Sequence, residues 1–289
     1  MLREWNQRCV MVLMWAMAAA LAVGLLAWGP VPLTAREHVY ADLRPLLGIP
    51  HGANVLASLP LLCVALWGAS ALRHGAWPLP VARPLRLFFV VSACASVVAA
   101  LYHLAPDHSG YVMAHMLMAA GFMLLLGGFL AERVDPRFGS RAACAAALLL
   151  PLAAGAWCGL SALTTGTPDL RGLLLLQVLP VLLVPAGALG LSGNVTRTRD
   201  WMAMLGLYAL AKGFELADAA IHDLTAGWVG GHALMHLALA AVAAWLAYRA
   251  ASSAPREDHA SASPLRDADT SAASATPSSR ITSASTLSS

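Results

Sequence analysis

Apolar stretches of about twenty residues, separated by short polar connectors, recur along the whole chain up to about residue 248. They cover roughly 9–29, 53–72, 86–105, 111–131, 142–161, 173–193, 201–221 and 229–248. At about 1.5 Å rise per residue, twenty helical residues cross a hydrocarbon core of roughly 30 Å. Backbone groups in lipid find no water to bond, so each stretch is expected to be a spanning helix. The pattern is weakest at 201–221, which holds Lys212, Glu215 and Asp218. Residues 250–289 are Ser-, Ala-, Thr- and Pro-rich without periodicity. Such a segment cannot bury enough apolar surface to offset its ordering entropy, so a disordered cytoplasmic tail is expected there.

Composition supports the membrane class: 59% of residues are hydrophobic and 11% charged, against about a quarter charged in soluble domains. The formal net charge of +3 is scattered over connectors and tail, which argues against a nucleic-acid partner. The arginines are asymmetric. Arg3, Arg8, Arg73, Arg83, Arg86, Arg133, Arg137, Arg141, Arg197, Arg199 and Arg249 fall on one side of the predicted spans, and only Arg36, Arg44 and Arg171 on the other. By the positive-inside rule both termini are expected in the cytoplasm. The first span reads either as an N-terminal anchor helix or as a signal peptide, although it is long for the latter. Cys9, Cys63, Cys94, Cys144 and Cys158 show no CxxC spacing and read as small buried hydrophobes.

Polar side chains inside spans are costly, which makes each a functional candidate. His103 is expected at the outer end of the third span, Asn54 and Ser58 at that of the second, and His232 and His236 in the first turns of the eighth. Glu215, Asp218 and His222 fall toward the outer end of the seventh. His232 and His236 are i, i+4 and share a helical face about 6 Å apart, a spacing that gives two ligands to one metal. With His103 at matching depth, a three-His site with an open position results, suited to zinc. A lone membrane histidine more often bonds a neighbouring helix, so the triad carries this reading. Glu215 and Asp218, at i, i+3 and with Lys212 preceding, read as ion-pairing partners or as groups beside the metal.

Four stretches together resemble the alkaline ceramidase branch of a superfamily of seven-helix membrane hydrolases that includes the adiponectin-type receptors. They are 40–60, with Gly48-Ile49-Pro50, Asn54 and Ser58-Leu59-Pro60; 102–107, Tyr-His-Leu-Ala-Pro-Asp; 122–133, ending Ala131-Glu132-Arg133; and 211–236, with Lys212, Glu215, Asp218 and Gly231-His-Ala-Leu-Met-His236. The resemblance covers roughly residues 38–248. It implies an all-α membrane fold, a seven-helix ceramidase-like bundle at 31–249 preceded by one extra transmembrane helix at 1–30 and followed by the tail at 250–289. It also implies zinc on His103, His232 and His236, hydrolysis of a ceramide-like or other N-acyl lipid, and a bacterial inner-membrane location.

The chain departs from the family pattern at two places. The Ser four residues before the first histidine is Ala99, and the Asp early in the next helix, thought to handle the proton of the zinc-bound water, is Ala114. General base catalysis typically contributes 10²–10⁴-fold, so the loss bears on turnover. Ser96, Asp107, His115, Asp218, His222 and Asp223 are candidate substitutes, with His115 expected about 100° away from position 114 on its helix. Three functional alternatives follow. One is a catalytically impaired lipid-binding or structural descendant. Another is a haem protein using His103 opposite His232 or His236. The last is a transporter, for which no inverted repeat is visible.

Overall fold

The computed structural model describes residues 2–253, with side chains from residue 7 onward. Most of the expected tail therefore lies outside the described residues. The described chain is helical, with ten α-helices in order: α1 (Leu2–Trp28), α2 (Gly52–Ser58), α3 (Pro60–His74), α4 (Leu79–Leu104), α5 (His108–Arg133), α6 (Arg141–Thr165), α7 (Arg171–Gly190), α8 (Thr198–Leu216), α9 (Asp218–Leu224) and α10 (Gly231–Ala251). Short 3₁₀ turns at Ala35–His38 and Pro136–Gly139 complete it.

Seven of these segments are long and apolar enough to cross a membrane, and they match seven of the eight predicted spans. The second crosses as α2 and α3 together, Gly52–His74. The exception is 201–221. There the chain makes α8 and then breaks at Ala217 before the short α9. Arg199, Asp200, Lys212 and Glu215 within α8 leave it less apolar than the other long helices.

Helices α3, α4, α5, α7, α8 and α10 pack in a ring, with α6 and α1 outside it against α5 and α7. The core of that ring holds Leu85, Phe89, Phe129, Trp201 and Leu246. Glycines let helices approach closely here: a Cβ on Gly128 would fall 2.6 Å from Leu85. The cysteines are all free, as expected, but only Cys144 and Cys158 are buried. Cys9, Cys63 and Cys94 lie on the outer surface of their helices, where lipid rather than protein would cover them.

Two polar clamps hold the bundle. At one end, the Glu132 carboxylate accepts from the Val195 and Thr196 N–H groups at 2.7 and 2.6 Å, and from the Thr196 hydroxyl. Beside it the buried Arg133 guanidinium donates to the Leu191 and Thr196 carbonyls. The pair thereby fixes the α7–α8 connector to the end of α5. At the other end, Asp169 accepts from Val31 N–H, Trp157 Nε1 and Arg171, while Leu33 N–H donates to Pro168 O and Leu170 N–H to Val31 O. This second clamp lays residues 31–44 across the bundle end as a strap.

Candidate metal centre

The strap, α4 and α10 meet at three imidazoles. His103 comes from the last turn of α4, and His232 and His236 from the first two turns of α10. One nitrogen from each lies within 4.8 Å of the others. Their ring centroids form a triangle with sides of 5.0 Å, and their planes cross at 79°, 88° and 81°. The Nε2 atoms of His103 and His236 are 2.9 Å apart. Zn–N bonds of about 2.0–2.1 Å at tetrahedral angles hold ligand nitrogens about 3.3 Å apart, so the cluster needs little adjustment to hold one ion. The buried Nε2 of His232 has no hydrogen-bond partner. An orphaned imidazole acceptor beside two converging nitrogens fits a cation, and a neutral donor set of three histidines fits a borderline-soft one. All three predicted ligands are thus brought together at a single point. That is a one-ion arrangement, and not two ligands facing across a haem plane.

The surroundings orient the rings. The Tyr40 ring packs on His103 and His232, with centroids 5.0 and 4.4 Å away. His51 donates from Nδ1 to the His103 carbonyl at 2.7 Å. Asp218, at the start of α9, accepts from the His232 N–H and the Ala41 N–H, each at 2.8 Å. It therefore pins the beginning of α10 and the strap at Tyr40 together. Gly230 and Gly231 make this possible, since a Cβ on Gly230 would sit 2.7 Å from Asp218 Oδ1 and one on Gly231 would meet the Phe214 carbonyl. From Tyr40 a file of bonds leads to the bundle end. The Tyr40 hydroxyl donates to Tyr102 Oη at 2.9 Å, Tyr102 Oη meets His38 Nδ1 at 2.7 Å, and His38 Nε2 meets His108 Nδ1 at 2.8 Å. Burial and the neighbouring His108 hold the His38 imidazole below its ordinary pKa. Burial and the bond to Tyr102 push the Tyr40 hydroxyl upward, so it stays protonated.

A cavity of about 550 Å³ opens beside the cluster. Arg36 and Glu37 lie at its site end, and its walls run past His103, His232 and His236 to Phe88 and Ala243. Phe88 lies 15 residues before His103 on α4, about 22 Å along the helix axis. Beyond the cluster the walls are mostly apolar, with Leu61, Met118, Phe122, Val184 and Met204 among them. Ala99 and Ala114 border this space.

The other sequence candidates separate. Ser58 and Ser96 line the cavity, with the Ser96 hydroxyl donating to the Ser58 carbonyl at 2.7 Å. Asn54 is buried. Lys212 and Glu215 form an ion pair on the cavity wall. Asp218 does not join that pair, because the break at Ala217 ends the helical phase that i, i+3 spacing assumed. Asp107 caps α5 through Gly110 N–H instead of facing the cavity. His222 and Asp223 lie on α9 outside the cavity wall. His115 faces the cavity beside Ala114: the α5 residues Tyr111, Ala114, His115 and Met118 share one wide stripe, so an offset of about 100° did not turn it away. No spacing in the sequence marks Tyr40, Tyr102 and His38 as a bonded file. The strap that carries two of them is short, with no period to mark it.

No family model, curated protein or solved structure matches this chain. What fold and site define is an all-α, multi-pass membrane protein with a three-histidine cluster able to hold a metal ion.

Proposed function

We propose that the protein is a zinc-dependent membrane amidase of the ceramidase-like class, acting on ceramide-like or other N-acyl lipids. The observation that carries this reading is the convergence of His103, His232 and His236 on the wall of a long apolar cavity. Bound there, zinc supplies a Lewis acid that polarises an amide carbonyl and brings the pKa of water toward 7. The chain's own residues do the rest. The apolar walls from Leu61 to Met204 take an acyl chain and exclude water, while the polar groups near Arg36 and Lys212 face the head group. Tyr40 fixes two imidazole rings by packing on them, and Asp218 fixes the backbone from which His232 projects. Metal analysis of the purified protein tests the reading. It expects about one zinc per chain, lost in His232→Ala, together with hydrolysis of N-acyl lipids. Sub-stoichiometric zinc that is indifferent to His232→Ala would refute it.

A second reading, a metal-holding protein that binds lipid without cleaving it, draws on the methyl groups of Ala99 and Ala114 at the cavity wall. It expects tight retention of an N-acyl lipid with no product. Turnover that disappears in His103→Ala excludes it.

A further inference from the structure

Amide hydrolysis needs a group to take a proton from the attacking water and return it to the leaving nitrogen. The cavity offers few. Glu37 is solvent-exposed on the strap, both Asp218 oxygens are engaged by backbone N–H groups, the Ser96 hydroxyl donates to a carbonyl, and Glu215 is held by Lys212. Building on the amidase reading, we propose that His115 is the acid–base residue of this site.

Five observations place it. His115 borders the same cavity as the three imidazoles. Its ring lies stacked on Tyr111, centroids 3.9 Å apart and planes 18° from parallel. Its Nδ1 is 3.0 Å from the Tyr111 carbonyl. A carbonyl only accepts, so Nδ1 carries the proton and Nε2 is the bare acceptor. The Gln177 amide of α7 donates to the His115 carbonyl at 3.2 Å, which steadies that turn of α5. Glu215 and Lys212 of α8 stand within electrostatic reach of the ring, as the ring does of His232. An imidazole with a fixed tautomer, a free Nε2 and an acyl-sized cavity before it has the properties of a general base.

The step balances. Water oxygen bonds to the amide carbon as one O–H bond breaks, and that proton passes to His115 Nε2. The carbonyl electron pair moves to oxygen. When it returns, the C–N bond breaks and the nitrogen takes the proton from His115. A carboxylic acid and an amine leave, and the imidazole is neutral again.

The test compares zinc-loaded wild-type protein with His115→Ala on a panel of N-acyl lipids. Expected is a fall in kcat of about 10²–10⁴-fold, with KM, zinc content and melting temperature retained and partial rescue by added imidazole. The acid limb of the pH profile is expected to vanish with the ring. Independently of turnover, ¹⁵N NMR of the histidine rings should show His115 protonated at Nδ1 and bare at Nε2 near neutrality. Wild-type kcat in His115→Ala, or a proton resident on Nε2, overturns the assignment while the amidase reading stands. A zinc-bound wild type that cleaves no N-acyl lipid fails both.

Discussion

Both oxygens of the Asp218 carboxylate are committed to backbone N–H groups, one on His232 and one on Ala41. In Asp218→Asn the side-chain nitrogen cannot accept, so one of these donors loses its partner. Leaving a buried donor unpaired costs about 1–3 kcal/mol locally. Groups that orient ligands from behind typically change metal affinity by 10–100-fold. Zinc affinity, measured by chelator competition, is therefore expected to fall by about that factor in Asp218→Asn, with the fold intact by circular dichroism. An unchanged affinity would show that α10 starts where it does without this anchor. The three histidines of the cluster were legible in the sequence, because i, i+4 spacing is a local property and span depth is set by length alone. The spacing of Asp218 offers an ion pair, a place beside the metal or a substitute base, but not the backbone anchor that the structure shows. The residues it holds lie 14 and 177 positions away, separations that no local period reports.

At the level of elements, lipid imposes a simple rule, and seven of the eight expected spans obey it. The strap at 31–44 obeys no such rule, since its course depends on contacts made one at a time. Its first anchor is Asp169. Burial alone would raise this carboxyl, but Arg171, the Val31 N–H and the Trp157 indole outweigh it and hold the pKa at about 2. An unfolded Asp titrates near 3.9. The folded value is the lower one, so the stabilisation is fully present above about pH 4 and is lost as pH falls through about 2. Asp169→Asn should therefore lower the melting temperature at pH 7, and the gap between variant and wild type should close as pH drops from about 4 to about 2. A gap constant across that window would mean that the ionised form contributes nothing. Proteolysis or hydrogen exchange at residues 35–40 would localise the effect to the strap.

The molecule as a whole has two unlike ends. Arg133 and Arg83 are spent on backbone carbonyls at one of them, and Arg249 lies 3.3 Å from Asp200 there. The same end keeps Arg137 and Arg197 in its connectors and Arg141 and Arg199 in the first turns of α6 and α8. At the histidine-cluster end, Arg44 is paired with Asp42 and Arg171 with Asp169. The excess of cationic residues thus opposes the histidine cluster, and the positive-inside rule predicts that cluster on the extracytoplasmic side. Alkaline phosphatase, which is active only after export, should be active when fused after Leu47 or Ala226 and inactive after Arg137. The inverse pattern would put the histidine cluster in reach of the cytoplasm. The fusion experiment therefore decides which side of the membrane the histidine cluster faces.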